Sequence, residues 1–391
     1  MTAFFNTGLT QQQFLDQYWQ KKPLLIRQAF ADFESPISAD DLAGLACEED
    51  IESRLIEEKG PSGPWQVTTG PLTEEDFARL PPSHWTMLVQ DVDKHLPELQ
   101  ELVDPFRFIP DWRRDDLMVS YAPEQGSVGP HTDGYDVFLL QAMGTRRWQI
   151  SNDAVVEQPL IAGLDLQILQ QFDADQTWDL EPGDMLYLPP HFAHHGVALN
   201  DCMTFSFGFR APSKTDLLDA VINTLLEREL AQQRFSDANL IVAKQQHQIS
   251  QQAVSDVKQL LHDVINDAEP LIASALGRLV TDTKSSLVDL AELQLTETLT
   301  VTELAAMFEQ GQVLQKNLYY RFAWHEQENS GGQLFFAGEQ FEVENIAHLK
   351  ILAEYTELSQ TDWQKISQDE ASVTILSHLI AEGGWYWQFA E

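Results

Sequence analysis

The chain has 391 residues, enough for two or three domains that each bury a core. Its 24 Lys and Arg stand against 61 Asp and Glu, a formal net charge of −37 that repels a phosphate backbone and favours basic partners, while 43% hydrophobic content excludes a disordered polymer. No apolar run approaches the roughly 20 residues of a membrane helix, no basic segment with an apolar stretch leads the chain, and Cys47 and Cys202 lie far apart, so a cytoplasmic protein without membrane attachment or disulfide framework is expected.

At the N-terminus, Phe14, Tyr18 and Trp19 fall at helical spacing, and Pro23 closes that segment before the strand-like Leu24-Leu25-Ile26. From Trp112 to Phe209 the pattern changes to short β-rich runs (DLMVSYA, DVFLLQ, RRWQI, MLYLP, MTFSFGF) between Gly, Pro and Asp clusters, the pattern of a sandwich or small barrel. After Pro212, Ser213 is a helix N-cap with Asp216 three residues on, and Leu217, Leu218, Val221, Ile222, Leu225 and Leu226 recur at helical spacing. Val254, Val257, Leu261, Val264 and Ile265 mark a second helix. Together these faces carry more apolar surface than a lone hairpin buries, which calls for another packing surface such as a second copy of the chain.

The section from about Asp282 to Glu391 mixes the strand-like LYYRFAW and LFFA with helical patterns at Asn345–Tyr355 and Glu370–Ala381, then Gly383-Gly384 and WYWQF. Helix, glycine turn and strand in that order fit a winged-helix module. Residues 301–391, however, hold only Lys316, Arg321, Lys350 and Lys365 against fourteen acidic residues, which argues against DNA.

Chemistry concentrates in Gly129-Pro130-His131-Thr132-Asp133, where His131 and Asp133 leave the same face of an extended chain. A third ligand has to come from a distant strand, and the segment from Pro189 to Val197 offers His191, His194 and His195, preferred in the order His194, His191, His195. Two histidines and a carboxylate on one face of an iron ion leave open positions for a chelating cosubstrate and dioxygen. A hydrogen-bonded structural pair of His131 and Asp133 is the simpler alternative, and a catalytic zinc is another, though no HExxH accompanies the pattern. A cosubstrate carboxylate also needs a cation. Arg146 and Arg147 lie on opposite faces of one strand, so only one of them points inward. On the last β-run, Thr204, Ser206 and Gly208 alternate with Met203, Phe205, Phe207 and Phe209, a pocket-lining set against a packing set.

Five segments, YWQKKPLLIRQAF, SPISADDLAGLA, the stretch from Pro105 through DWRRDDLMVSYAPEQGSVGPHTDGYDVFLLQ to Trp148, LEPGDMLYLPPHFAHHGVAL and FSFGFRAPS, together resemble the bacterial ribosomal oxygenases of the YcfD (RoxA) type, a branch of the JmjC-domain cupins. The resemblance runs nearly the length of the chain. It implies an α+β protein: a double-stranded β-helix (JmjC cupin jelly roll) over residues 1–211, a helical dimerisation region over 212–281 and a winged-helix-like domain over 282–391 that does not read DNA. It also implies an iron(II)- and 2-oxoglutarate-dependent dioxygenase, a homodimer, that hydroxylates the β-carbon of an arginine in the basic large-subunit ribosomal protein numbered sixteen. By position, His131, Asp133 and His194 match the catalytic iron ligands and Arg146 the residue that grips 2-oxoglutarate. Ser120 and Ser206 match positions near the cosubstrate or substrate, and Asp116 and Tyr135 match contacts to the substrate arginine. A catalytically silent cupin and a winged-helix DNA regulator are the competing classes.

Overall fold

The computed structural model describes all of the chain except residues 1, 59–64, 156–158, 165, 228–233, 239, 243–244, 289, 291–296, 328–330 and 389–391. It divides into two compact units, residues 1–211 and 212–391. The first is built from strands β1 (Leu24–Ile26), β2 (Ser53–Glu58), β3 (Trp65–Thr69), β4 (Trp85–Val89), β5 (Arg114–Ala122), β6 (Asp136–Met143), β7 (Arg146–Ala154), β8 (Gln176–Leu180), β9 (Met185–Leu188), β10 (Phe192–Ala198) and β11 (Cys202–Phe209). An eight-stranded sheet runs β1-β9-β6-β11-β5-β4-β2-β3, and a three-stranded sheet runs β10-β7-β8.

Side-chain alternation decides which face of the large sheet packs where. On β6, Phe138, Leu140 and Ala142 point into one core, joined by Met203, Phe205, Phe207 and Phe209 of β11 and by Phe4 and Phe14. Their neighbours Val137 and Leu139 point the other way, into a second cluster with Trp148, Ile150 and Leu180 of the small sheet. The space between the sheets holds the functional side chains. The N-terminal helix Gln11–Gln17 begins at a reciprocal cap between Thr10 and Gln13. It buries Phe14, whose ring lies edge-on to Tyr187 with 5.0 Å between centroids.

In the second unit, Ser213 caps the helix Lys214–Glu227: Asp216 N–H donates to Ser213 Oγ at 3.1 Å, and Ser213 N–H donates to the Asp216 carboxylate at 2.8 Å. A helix at Gln251–Asp267 follows, then one at Ile272–Thr281 that packs on Phe335, so closely that a Cβ on Gly277 would fall 2.4 Å from the ring. The remaining strands are β12 (Val313–Lys316), β13 (Phe322–Glu326), β14 (Gly332–Phe336), β15 (Glu339–Val343), β16 (Glu357–Leu358) and β17 (Trp385–Gln388), in sheets ordered β16-β12-β17 and β13-β14-β15. The strand expected over LYYRFAW starts only at Phe322, because Asn317 turns the chain there, accepting the Tyr319 N–H on its side chain at 2.9 Å. Among the described residues, no helix is long and apolar enough to cross a membrane.

Candidate metal centre

Gly129, at φ +81°, turns the chain into His131, and Ile168 packs so closely over it that an added Cβ would sit 3.0 Å away. His131 and His194 then exchange main-chain hydrogen bonds: His131 N–H donates to His194 O at 3.0 Å, and His194 N–H to His131 O at 2.9 Å. The two imidazoles end with 4.2 Å between ring centroids. Each Nδ1 lies 2.9 Å from a carbonyl oxygen, that of Gly129 for His131 and that of Phe192 for His194. A carbonyl only accepts, so each Nδ1 carries the proton and each Nε2 keeps a lone pair.

Both lone pairs point towards Asp133. Its carboxylate is 3.9 Å from His131 Nε2 and 3.5 Å from His194 Nε2, too long for hydrogen bonds, so the simple structural pair does not form. Ligand atoms of all three residues lie within 4.8 Å of one another, the one such group of three or more found among the described residues. Burial, reinforced by neighbouring His131, pushes the His194 imidazole down to about 4, which keeps it neutral and able to coordinate.

The other candidates take different places. His191 sits in a left-handed turn at φ +67°, where its N–H donates to the Asp133 carbonyl at 2.7 Å and so steadies that segment through the main chain. His195 turns away from the group and meets Phe172 edge-on, 6.3 Å between centroids. Arg147 is exposed and forms a two-bond pair with Asp179, at 2.7 and 2.8 Å. Arg146 is only 2% exposed.

His131, Asp133, His194 and Arg146 all line one cavity of about 400 Å³, together with Ser120, Thr204, Ser206, Trp148 and Tyr135. Arg146 meets Ser120 Oγ at 3.5 Å and the Gly196 carbonyl at 3.4 Å, and its guanidinium lies 5.2 Å from the Trp148 ring. Its Nε has no partner, and among the described residues it forms no ion pair. Burial lowers its pKa, as expected for a cation withdrawn from water without a counter-ion. A ligand carboxylate would satisfy it, so the donor set and the orphaned cation both fit a metal with an anionic chelator.

Asp116 is not among the cavity-lining residues, but it lies near enough to Tyr135 for its charge to bear on the phenol, whose pKa is raised by burial, Asp133 and Asp116. Sequence reading missed Trp148, Arg54, Gln90 and Ile168 as lining residues. Trp148 was recoverable, since it stands two residues from Arg146 on one strand and must share its face. Arg54 and Gln90 come from the β2 and β4 region, where no motif flagged them.

Residues 101–217 match the JmjC domain family. Ribosomal protein uL16 3-hydroxylase of Escherichia coli (strain K12) is 32% identical over 375 residues, covering 96% of this chain and 97% of that protein. The crystal structure of E. coli YcfD aligns with a TM-score of 0.84 at 30% identity, over 97% of this chain and 99% of that one. A second E. coli YcfD structure, in complex with cobalt and 2-oxoglutarate, aligns with a TM-score of 0.80 at 29% identity, over 98% and 99%. With relatedness at that level along the whole α+β chain, and with two histidines and a carboxylate gathered between its sheets, the protein belongs to the JmjC-cupin ribosomal oxygenases of the YcfD type.

Proposed function

We propose that this protein is an iron(II)- and 2-oxoglutarate-dependent oxygenase that hydroxylates the β-carbon of an arginine side chain in ribosomal protein uL16. The observation that carries the reading is Arg146: a buried cation with no anionic partner among the described residues, in the same cavity as His131, Asp133 and His194. In this reading His131 Nε2, His194 Nε2 and an Asp133 carboxylate oxygen hold the metal. Arg146, with Ser120 and Ser206, grips the far carboxylate of 2-oxoglutarate. When bound, iron and 2-oxoglutarate supply the oxidising chemistry, in which dioxygen is consumed, 2-oxoglutarate yields succinate and carbon dioxide, and one oxygen atom enters a substrate C–H bond.

The chain's own contribution is geometry and dryness. Nδ1–H bonds to Gly129 and Phe192 fix both imidazole planes, while Trp148, Leu139 and Ile168 keep water from the cavity wall. Asp116 and Tyr135 receive the substrate guanidinium at the mouth, a pairing of carboxylate and fork-shaped donor. The net charge of −37 supports a basic substrate. The E. coli relative's name, a uL16 3-hydroxylase, supports both the protein and the β-position.

The finer architecture follows the same reading. The two facing sheets form a double-stranded β-helix, residues 212–281 form a dimerisation region, and 282–391 form a winged-helix-like domain that does not bind DNA. Leu218 and Leu226 on the first helix of the dimerisation region and Leu261 on the second are 51%, 60% and 61% exposed, an apolar surface that favours a homodimer. A cytoplasmic protein that acts on ribosomal components without membrane attachment fits these assignments.

The test is mass spectrometry of uL16 incubated with the protein, iron(II) and 2-oxoglutarate. A gain of one oxygen on an arginine, with matching succinate release abolished in His131→Ala, is the expected result. Succinate release without any oxygen gain on uL16 would leave the chemistry standing and remove the substrate.

A further inference from the structure

β5 carries Asp116 at its start and lies between β11 and β4 in the large sheet. On the β11 side, Phe207 pairs with Leu117 but Phe209 pairs with Arg114, so one residue is extra on β5. Asp115 and Asp116 therefore face the single Gly208, which is a β-bulge. Such a bulge bends the strand and re-aims a side chain, and it leaves local main-chain groups without their regular ladder.

On the other edge, β4 pairs with β5 only through Met87, Leu88 and Val89. Beyond Val89 the chain coils into the short helix Val92–His95, and two of its side chains take the place of the missing strand. Asp93 Oδ1 accepts the Leu117 N–H at 3.0 Å, and Lys94 Nζ donates to the Asp115 carbonyl at 3.1 Å. Lys94 also pairs with Asp91. Asp91 and Asp93 are 4% and 2% exposed, so this is a buried ionic clamp and not a chance surface pair. Gly208 completes the arrangement from the facing strand, because a Cβ there would fall 3.0 Å from Asp116 Oδ1.

The main chain is thus pinned immediately before and immediately after Asp116, and a side chain at the facing position 208 would press on the carboxylate. We propose that Asp93, acting with Lys94, is a positioning residue for substrate recognition: it locks the bulge that aims Asp116 at the incoming guanidinium. This inference rests on the reading of Asp116 as a substrate contact. Burying three charged groups is costly, and a loop that merely needed to be stable would be served as well by apolar packing. What the clamp adds is directional hydrogen bonds at two specified main-chain atoms.

The experiment measures steady-state constants for recombinant uL16 and for 2-oxoglutarate in the wild type, Asp93→Ala, Asp93→Asn, Gly208→Ala and Asp116→Ala. Asp93→Ala is expected to raise the KM for uL16 about tenfold while leaving the KM for 2-oxoglutarate within about twofold, the split of a lost substrate-orienting contact. Asp93→Asn keeps an acceptor for Leu117 and is expected to recover part of the loss. Gly208→Ala leaves the clamp intact, crowds Asp116 directly, and is expected to raise the uL16 KM even if Asp93→Ala fails to fold. An increase for Asp116→Ala without one for Asp93→Ala or Gly208→Ala overturns the clamp and leaves the proposed function standing. An unchanged uL16 KM in Asp116→Ala, or no oxidation of uL16 by the wild type, overturns the substrate reading and the clamp with it. Equal rises in both KM values for Asp93→Ala would mean general damage and also overturn the clamp.

Discussion

Gly196 and Arg146 contend for the same space from adjacent strands: a Cβ built on Gly196 falls 2.7 Å from Arg146 Nε and 2.7 Å from the Trp148 ring. Neither neighbour yields easily, since the guanidinium is buried and the indole is held between the two sheets. Gly196→Ala is therefore expected to tilt the guanidinium and raise the KM for 2-oxoglutarate about tenfold, with a smaller effect on the KM for uL16. Steady-state titration of each substrate at saturation of the other checks this, and equal effects on both would contradict it.

Among the described residues Arg146 is a buried cation that forms no ion pair, which sets stability against binding. Replacing it with Met removes an uncompensated charge and is expected to make the ligand-free protein more stable by about 1–3 kcal/mol, while abolishing protection by 2-oxoglutarate. Thermal melts with and without 2-oxoglutarate decide it. A variant that melts lower than the wild type when both are free of ligand would show that Arg146 has a counter-charge.

Ligand geometry predicts a steep loss for any one of three substitutions. His131→Ala, Asp133→Ala or His194→Ala is expected to weaken cobalt(II) binding at least about 100-fold, more than the loss of a residue that only orients a ligand. Absorbance of the bound cobalt provides a readout independent of turnover. His191→Ala and His195→Ala are expected to keep binding near the wild-type level, and equal loss at His191 or His195 would require a different ligand set.

Three imidazoles share a depressed pKa in the metal-free protein. Burial holds His95, His194 and His195 each down to about 4, helped by Lys94 at His95, by His131 at His194, and by His131 and Arg146 at His195. In the unfolded chain they protonate near the ordinary imidazole value of 6.5. Between these limits the unfolded state binds more protons, so their contribution is complete above pH 6.5 and is lost as pH falls towards about 4. The metal-free protein is expected to lose stability across that window, and His95→Gln to flatten the decline. Chemical denaturation in half-unit pH steps tests it, and a wild-type curve that is flat from 6.5 to 4 would contradict the shifts.

The apolar helix face gives a handle on assembly. If the proposed homodimer forms through this face, Leu218→Asp with Leu261→Asp is expected to sediment as a monomer in analytical ultracentrifugation while leaving cobalt binding unchanged, since the metal-centre residues lie in the other compact unit; a wild type that is itself monomeric contradicts the dimer.

Much of the site was legible because its chemistry is written in short spacings. His131 and Asp133 share a face by strand periodicity alone, and the β-runs around them mostly became strands β5, β6, β7, β9 and β11. The alternation on β11 separated Thr204 and Ser206, which line the cavity, from Phe205 and Phe207, which fill the core. Strand periodicity alone left Arg146 and Arg147 open and the family resemblance favoured Arg146, which agrees with the outward pairing of Arg147 with Asp179. Strands β2, β3 and β4 went unread: β2 mixes Arg54, Glu57 and Glu58 into its run, and β3 (WQVTT) and β4 (WTMLV) are five-residue segments without strict alternation. The β5 bulge was also invisible, because a one-residue slip in pairing leaves no mark on composition.

The bridge between His131 and His194 is made of main-chain atoms, so its two hydrogen bonds do not depend on which side chains stand there. Exchange of either imidazole for a smaller group removes the metal yet leaves the two segments stitched and the cup open to an anion at Arg146. A change at either imidazole is therefore expected to cost the metal before it costs the fold.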